Sequence, residues 1–348
     1  MHPLPPEPAR TLRLRLDTAA LADNWRALDR LSGNAAAGAA VKADAYGLGV
    51  AHVVPALLEA GARDLFVAHW SEVAGALAHA EPGQLAVLHG PMTAEDAAFA
   101  RASGVRPVIN SLHQAKLWLA AGGGACDLMV DTGINRLGLP LAQIGDPLID
   151  RLEVETLMSH LASADEDVAQ NAVQLARFHE VCQAIPAKRR SLANSAGIGL
   201  GAGYAFDVTR PGLSLYGGIP RPELAPHIRQ TAFPQAALIQ TRELQAGDSV
   251  GYNAVFTADR PMRVGTVSLG YADGILRCWG GAWLEHDGTK LPLLGKVSMD
   301  MVVVDLGAAP DLKEGDWLSL PYDLPQAAAR TGLSQYELLT LLGGRFAR

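Results

Sequence analysis

From about residue 36 to residue 220, short apolar runs alternate with longer stretches of helical period, the pattern of successive βα units around a parallel sheet. The runs are "GAAVK", "LFVAH", "LAVLHG", "RPVIN", "DLMVD", "ETLMSH", "SLANS" and "DVTRPG", eight in all. Between them lie amphipathic segments. One opens on Asp17/Thr18, carries Leu21, Trp25 and Leu28 on a single face and stops near Gly33. Another begins with a capping box, Thr93-x-x-Asp96, and after Asp167 a third aligns Leu175, Phe178 and Cys182. Eight such units predict a (β/α)8 TIM barrel, although a doubly wound sheet would use the same runs and periodicity alone does not choose.

After Pro220 the texture changes to strand-like alternation, in "AALIQTREL", "MRVGTVSLG", "KLPLLGKVSMDMVVVDL" and "DWLSLP". The chain thus divides into residues 1–17, a leader and a strand joining the later domain, a barrel over 18–222, and a mainly β C-terminal domain over 223–348. Net charge is −7 with no block of Lys or Arg, which argues against nucleic acid or an anionic membrane as a partner. Three scattered cysteines, Cys126, Cys182 and Cys278, lack the number and spacing of a disulfide framework or a zinc site. No metal is expected. The proline-rich start, "MHPLPPEPAR", has no apolar signal core, and no run is long enough to span a bilayer, so a cytoplasmic protein with a frayed leader is expected.

A barrel keeps its chemistry at the C-terminal ends of its strands, which here carry Lys42, His69, His89, Asn110, Asp131, His160, Asn194-Ser195 and Arg210. Each could equally cap a strand or bond a loop. Lys42 stands at the end of an apolar strand, where partial desolvation lowers the amine's pKa and frees it to attack a carbonyl. The ends of strands seven and eight, "ANSAGIG" and "RPGLSLYGG", are where barrels frequently bind phosphate. Ser195 offers a hydroxyl there, and Gly212 lets backbone approach an anion. A phosphorylated carbonyl cofactor held by a lysine is pyridoxal 5'-phosphate.

These residues sit in motifs that carry a resemblance. "VKADAYGLG", "DTGINRLG", "MSHLASADE", "ANSAGI", "TRPGLSLYG", "SLGYADGI" and "GKVSMDMVVVDL" resemble, in order, the signatures of the alanine racemases, and "SQYELLTLLGG" extends the match towards the C-terminus. The resemblance implies a fold-type-III pyridoxal-phosphate enzyme that interconverts L- and D-alanine, either to supply D-alanine for peptidoglycan or to catabolise alanine. Lys42 would hold the cofactor. Tyr46, Ser195, Gly212, Leu213 and Tyr336 would hold its phosphate, beside Asn194. His160 would pack on the ring, and Arg210 would face the ring nitrogen. Arg136 would meet the substrate carboxylate, with Tyr252, Met299 and Asp300 around the entrance and carboxylate pocket. Tyr271 matches the second base.

In the family that tyrosine and that methionine come from the neighbouring subunit, which implies a homodimer with shared sites. Two bases suit the chemistry, because racemisation removes a proton from one face of a planar centre and returns one to the other. A free phenol titrates near 10, so a tyrosine base needs positive charge nearby; Arg136 and a His160 to Arg210 relay are candidate sources. Two positions depart from the pattern. The usual "KVDTG" or "KMDTG" lysine, often carbamylated, is Met129 here, so Arg136 must be oriented by another side chain or by an anion such as chloride. The usual histidine of "AYGHG" is Leu48. A basic amino-acid decarboxylase would want an acid where Arg210 stands, and a D-threonine aldolase would want metal ligands; a broad-specificity amino-acid racemase stays open.

Overall fold

The computed structural model describes residues 8–347, and residues 1–7 of the expected leader lie outside them. The chain forms two compact bodies, one of Thr18–Gln230 and one that unites the chain up to Asp17 with the chain from Thr231. The sequence-based boundary after residue 222 stands beside a structural one after Gln230. Asn24 ties the intervening segment to the first body: its side chain accepts from Arg229 N at 2.8 Å and donates to the carbonyls of Arg229 and Leu215 at 2.8 and 3.1 Å.

In the first body Ala39–Ala40, Leu65–Val67, Leu85–Val87, Arg106–Ile109, Ala125–Asp131, Glu153–Met158 and Arg189–Ser191 pair in parallel, each with the next. An eighth strand, Val208–Thr209, pairs with Ala36–Ala37. Backbone hydrogen bonds from Gly38 N to Thr209 O and from Asp207 N to Arg190 O, 2.9 and 3.0 Å, close the ring on both sides of it. Because side chains alternate along a strand, Phe66, Ala86, Val108, Met129, Met158 and Val208 fill the barrel interior as one cluster. Their neighbours Ile109, Leu128, Val130 and Leu157 join the cluster that contains Trp118 and Phe178 of the surrounding helices.

The helices follow the predicted patterns. Thr18–Leu31 buries Leu21, Trp25 and Leu28 and stops just before Gly33, whose φ is +68°. Ala94–Ser103 starts on the Thr93–Asp96 capping box, and Ala169–Ala184 turns Phe178 inward with Leu175 and Cys182 packed against the same cluster.

The second body is an antiparallel sheet. Ala232–Leu244 pairs with the early strand Leu12–Leu16, with Met262–Val267 and with Trp317–Ser319. Val302–Asp305, Thr289–Leu294 and Trp283–His286 complete the circuit back to Trp317–Ser319.

At the N-terminal ends of the first body's strands lies a buried charge cluster. Arg189 grips Asp64 in a two-pronged pair at 2.7 and 2.8 Å, and Arg106 reaches Asp64 at 3.4 Å and Asp127 at 3.5 Å. Asp127 is fully buried and accepts from Thr156 N at 3.1 Å. Burial pushes its carboxyl pKa up, against the pull of Arg106 and Arg189. Removing one partner of such a cluster strands the others. Asp127→Ala should therefore cost about 3–5 kcal/mol of folding stability, read as a lower urea midpoint; an unchanged midpoint would show that the cluster carries no such load.

Candidate functional site

Lys42 follows the strand Ala39–Ala40 and opens a turn with an uncommon backbone. Ala43, Asp44, Ala45 and Tyr46 all have φ between 52° and 57°, a left-handed helical turn built from non-glycine residues. That conformation costs roughly 1–2 kcal/mol per residue, so its surroundings must hold it. Glu72 does so from the neighbouring strand end: one carboxylate oxygen accepts from Ala43 N at 2.5 Å, the other from Ala68 N and His69 N at 2.7 and 2.9 Å. Asp44 accepts from Val50 N at 2.8 Å, and Gly47 and Gly49, also at positive φ, carry the exit. Tyr46 packs on Tyr216 with ring centroids 4.7 Å apart, and the Tyr216 hydroxyl donates to Ala40 O at 2.8 Å. Leu48 is wholly buried, which accounts for an apolar side chain at a place where an imidazole would need a polar partner.

Burial lowers the pKa of the Lys42 amine, and Arg136 and Arg210 lower it further, while Glu72 opposes them. The strand-end expectation of an accessible neutral amine thus has a physical cause on three sides.

The ends of strands seven and eight form a cradle. Ser195 Oγ accepts from Gly212 N at 2.9 Å and Ser214 N at 3.2 Å, and Asn194 caps the short helix Ser195–Gly199 by accepting from Gly197 N at 2.9 Å. A methyl group on Gly212 would collide with the Tyr46 hydroxyl, so only glycine lets tyrosine, Ser195 and the Leu213–Tyr216 turn share this corner. Ser214 Oγ, buried here, has no hydrogen-bond partner among the described residues. An unpaired hydroxyl, a serine, a tyrosine and a turn that begins at Leu213 fit a phosphate group of pyridoxal 5'-phosphate.

Arg210 is buried across from the lysine. It donates to Ser159 O at 2.6 Å and to Ser191 Oγ, and burial lowers its guanidinium pKa to about 10. His160 is pushed down to about 3, first by burial and then by Arg210, Arg136 and Lys42. Its ring is therefore neutral at neutral pH, and the expected relay of positive charge reduces to Arg210 alone. Gln174 fixes the backbone there by donating to His160 O at 3.0 Å.

Asp131 gathers the amides of Gly133, Ile134, Asn135 and Arg136 at 2.8–3.2 Å, which shapes the loop while leaving the Arg136 side chain exposed. Met129 sits in the interior cluster, where it can donate nothing to Arg136. His69 and His89 meet edge to face with centroids 4.1 Å apart. Burial lowers the His89 pKa, with His69 and Lys42 adding to it.

The remaining candidates belong to the second body. Tyr271 opens the turn Tyr271–Asp273, and its amide donates to Ser298 O at 3.0 Å while Ala272 N donates to Met299 O at 3.0 Å. Tyr271, Met299 and Asp300 are thus neighbours, and the Arg277 guanidinium lies 5.9 Å from the centre of the Tyr271 ring. Tyr252 is 70% exposed on the turn Tyr252–Ala254, and Tyr336 is half-exposed on the helix Gln335–Thr340. Sequence reading missed Glu72, Tyr216, Ser214 and Arg277. Glu72 left a trace as an acid three residues after the cap position His69, the place of a capping-box acid, and Ser214 and Tyr216 lie inside "RPGLSLYGG".

Comparison with known proteins shows the family. Residues 16–220 match the family profile of the alanine racemase N-terminal domain, and residues 233–348 match that of the C-terminal domain. An alanine racemase of Methylobacterium nodulans is 42% identical over 97% of this chain and 95% of its own, and one of Acidiphilium cryptum is 39% identical over 96% and 97%. Among solved structures, the alanine racemase of Bartonella henselae with covalently bound pyridoxal phosphate superposes with a TM-score of 0.89 at 34% identity, covering 98% of this chain and 99% of its own.

Two outcomes follow from the electrostatics. The His160 ring carbons should show flat NMR chemical shifts from roughly pH 8 down to pH 5, the range in which an ordinary histidine titrates; a step near 6.5 would contradict the neutral ring. Glu72→Gln removes the charge that raises the Lys42 pKa, so the labelling of Lys42 by an amine-directed reagent in cofactor-free protein should shift its midpoint to lower pH. A midpoint that stays put or rises would show that Glu72 does not act on the amine.

Proposed function

The chain belongs to the alanine racemase family, and from that premise we propose that it interconverts L- and D-alanine with two bases, Lys42 and Tyr271, on opposite faces of the substrate. The enzyme is an isomerase that uses pyridoxal 5'-phosphate. When bound, the cofactor withdraws electrons from the substrate α-carbon and so acidifies its proton. The observation that carries the reading is the lowered pKa of the Lys42 amine, held on a strained turn beside the Ser195–Gly212 cradle.

Lys42 would hold the cofactor, release it when substrate enters, and then pass a proton to and from one face. Tyr46, Ser195, the backbone at Gly212 and Leu213, and Tyr336 would bind the phosphate, with Asn194 fixing the helix start. Arg136 would take the substrate carboxylate. Arg210, whose charge is unopposed by an acid at its own guanidinium contacts, would disfavour a proton on the ring nitrogen and weaken the electron sink. Arg210 would in this way keep the electron withdrawal supplied by a bound cofactor modest, which suits racemisation. His160, neutral, would pack against the ring.

Tyr271 would serve the other face. The Arg277 guanidinium, 5.9 Å from the centre of its ring, lies beside it within the same chain. Met299, Asp300 and Tyr252 would shape the entrance. Tyr271 and Met299 come from a second copy in this reading, so the working unit is a homodimer in the cytoplasm, supplying D-alanine for peptidoglycan or consuming alanine.

Exchange of the α-proton in deuterated water tests the scheme. Lys42→Ala should abolish the absorbance of lysine-bound cofactor. Tyr271→Phe should depress exchange mainly from L-alanine, by about 10²–10⁴-fold for loss of a general acid–base group. Full racemisation by either variant without added amine would refute two bases, and a panel of alanine, serine, lysine and arginine would separate an alanine enzyme from a broad-specificity one.

A further inference from the structure

The turn that presents Tyr271 is held by the C-terminal end of the chain. Asp273, the third residue of that turn, is 1% exposed, and its two carboxylate oxygens do different work. One accepts from Gly270 N at 2.9 Å, fixing the residue before Tyr271. The other accepts from Arg345 Nε at 2.7 Å. Arg345 Nη1 then reaches Asp300 Oδ1, also at 2.7 Å, on the loop that follows Met299. A single guanidinium therefore bridges the two segments that carry Tyr271 and Met299, which also touch directly through the Tyr271 N to Ser298 O and Ala272 N to Met299 O bonds.

Around the bridge the backbones are in contact. A methyl group on Gly270 would strike Met299 O, and one on Gly274 would strike Leu341 O. The Arg345 segment is anchored in turn. Arg10 donates to Gly344 O and Phe346 O, and Leu14 N and Ala347 N exchange hydrogen bonds with the opposite strand at 2.8 and 2.9 Å. A planar, permanently charged fork suits this task, because it can satisfy two carboxylates in fixed directions where a lysine would supply one mobile point charge.

We propose that Arg345 is a positioning residue for the second base: by joining Asp273 to Asp300 it sets where the Tyr271 hydroxyl stands relative to Met299. The inference rests on the reading of Tyr271 as the base that serves the L-face. It adds that the geometry of this face, and not that of Lys42, depends on the chain's C-terminal segment.

Two measurements test it. In hydrogen exchange read by mass spectrometry on the full-length cofactor-bound protein, Arg345→Ala should lose protection in peptides covering Gly270–Asp273 and Ser298–Met301. Protection equal to wild type would overturn the proposal whatever the substrate. In α-proton exchange, Arg345→Ala should lower the rate from L-alanine by up to about 10²-fold, the scale expected when a catalytic group is displaced by an ångström, and leave exchange from D-alanine and the cofactor's absorbance close to wild type. Arg345→Lys should recover only part of the loss. Arg263→Ala, which frees the carbonyls of Pro310 and Leu312 in the same body, controls for general loosening and should leave the L-to-D ratio unchanged. Equal losses from both enantiomers in Arg345→Ala would also overturn it. If wild type itself exchanges neither enantiomer, the racemase reading fails, while the protection measurement still decides the clamp.

Discussion

The site is organised by the left-handed turn Ala43–Tyr46, a conformation that none of its residues prefers. Left to itself that run would relax, and Lys42 and Tyr46 would part company. It persists because acidic side chains are spent on backbone amides: Glu72 on Ala43, Ala68 and His69, and Asp44 on Val50. The strain brings Lys42 and Tyr46 to the same corner within five residues, so that an amine and a phenol can address two ends of one small molecule. Glycine follows only where the chain must leave, at Gly47 and Gly49. A turn made wholly of glycine would be easier to form and less able to fix direction, since its unfolded alternatives would be many.

Neutrality at His160 follows from the same crowding of cations. Lys42, Arg136 and Arg210 all disfavour a proton on the imidazole, and burial disfavours it more than any of them. The ring can therefore lie flat against an aromatic partner without bringing a charge of its own. Arg210 beside it stays protonated at neutral pH even with its pKa lowered to about 10. The two groups are fixed independently, Arg210 by Ser159 and Ser191 and the backbone of His160 by Gln174.

Much of this was legible in the sequence. The eight apolar runs read as strands because a barrel strand, covered on both faces, shows as a short continuous run, and the strand-end rule then gave Lys42, His69, His89, Asn110, Asp131, His160, Asn194-Ser195 and Arg210 as candidates without choosing among them. What could not be read was of two kinds. The left-handed run "ADAY" has no glycine to betray it, so nothing in the residues announces its φ values. Contacts across long sequence separations, such as Glu72 with Ala43 or Arg345 with Asp273 and Asp300, leave no local period at all. The Leu48 substitution, unexplained in sequence, becomes ordinary once its complete burial is seen.

The two ends of the barrel handle charge differently. At the N-terminal end every arginine of the cluster meets a carboxylate: Arg189 holds Asp64, and Arg106 lies between Asp64 and Asp127. Charge there is closed within the protein and its role is cohesion. At the other end the acids Glu72, Asp44 and Asp131 turn oxygens to backbone amides. The Lys42 pKa is lowered first by burial and then by the positive charge of Arg136 and Arg210, against the pull of Glu72. An anion bound beside these groups would offset that effect on the amine, since an opposite charge nearby favours the protonated form.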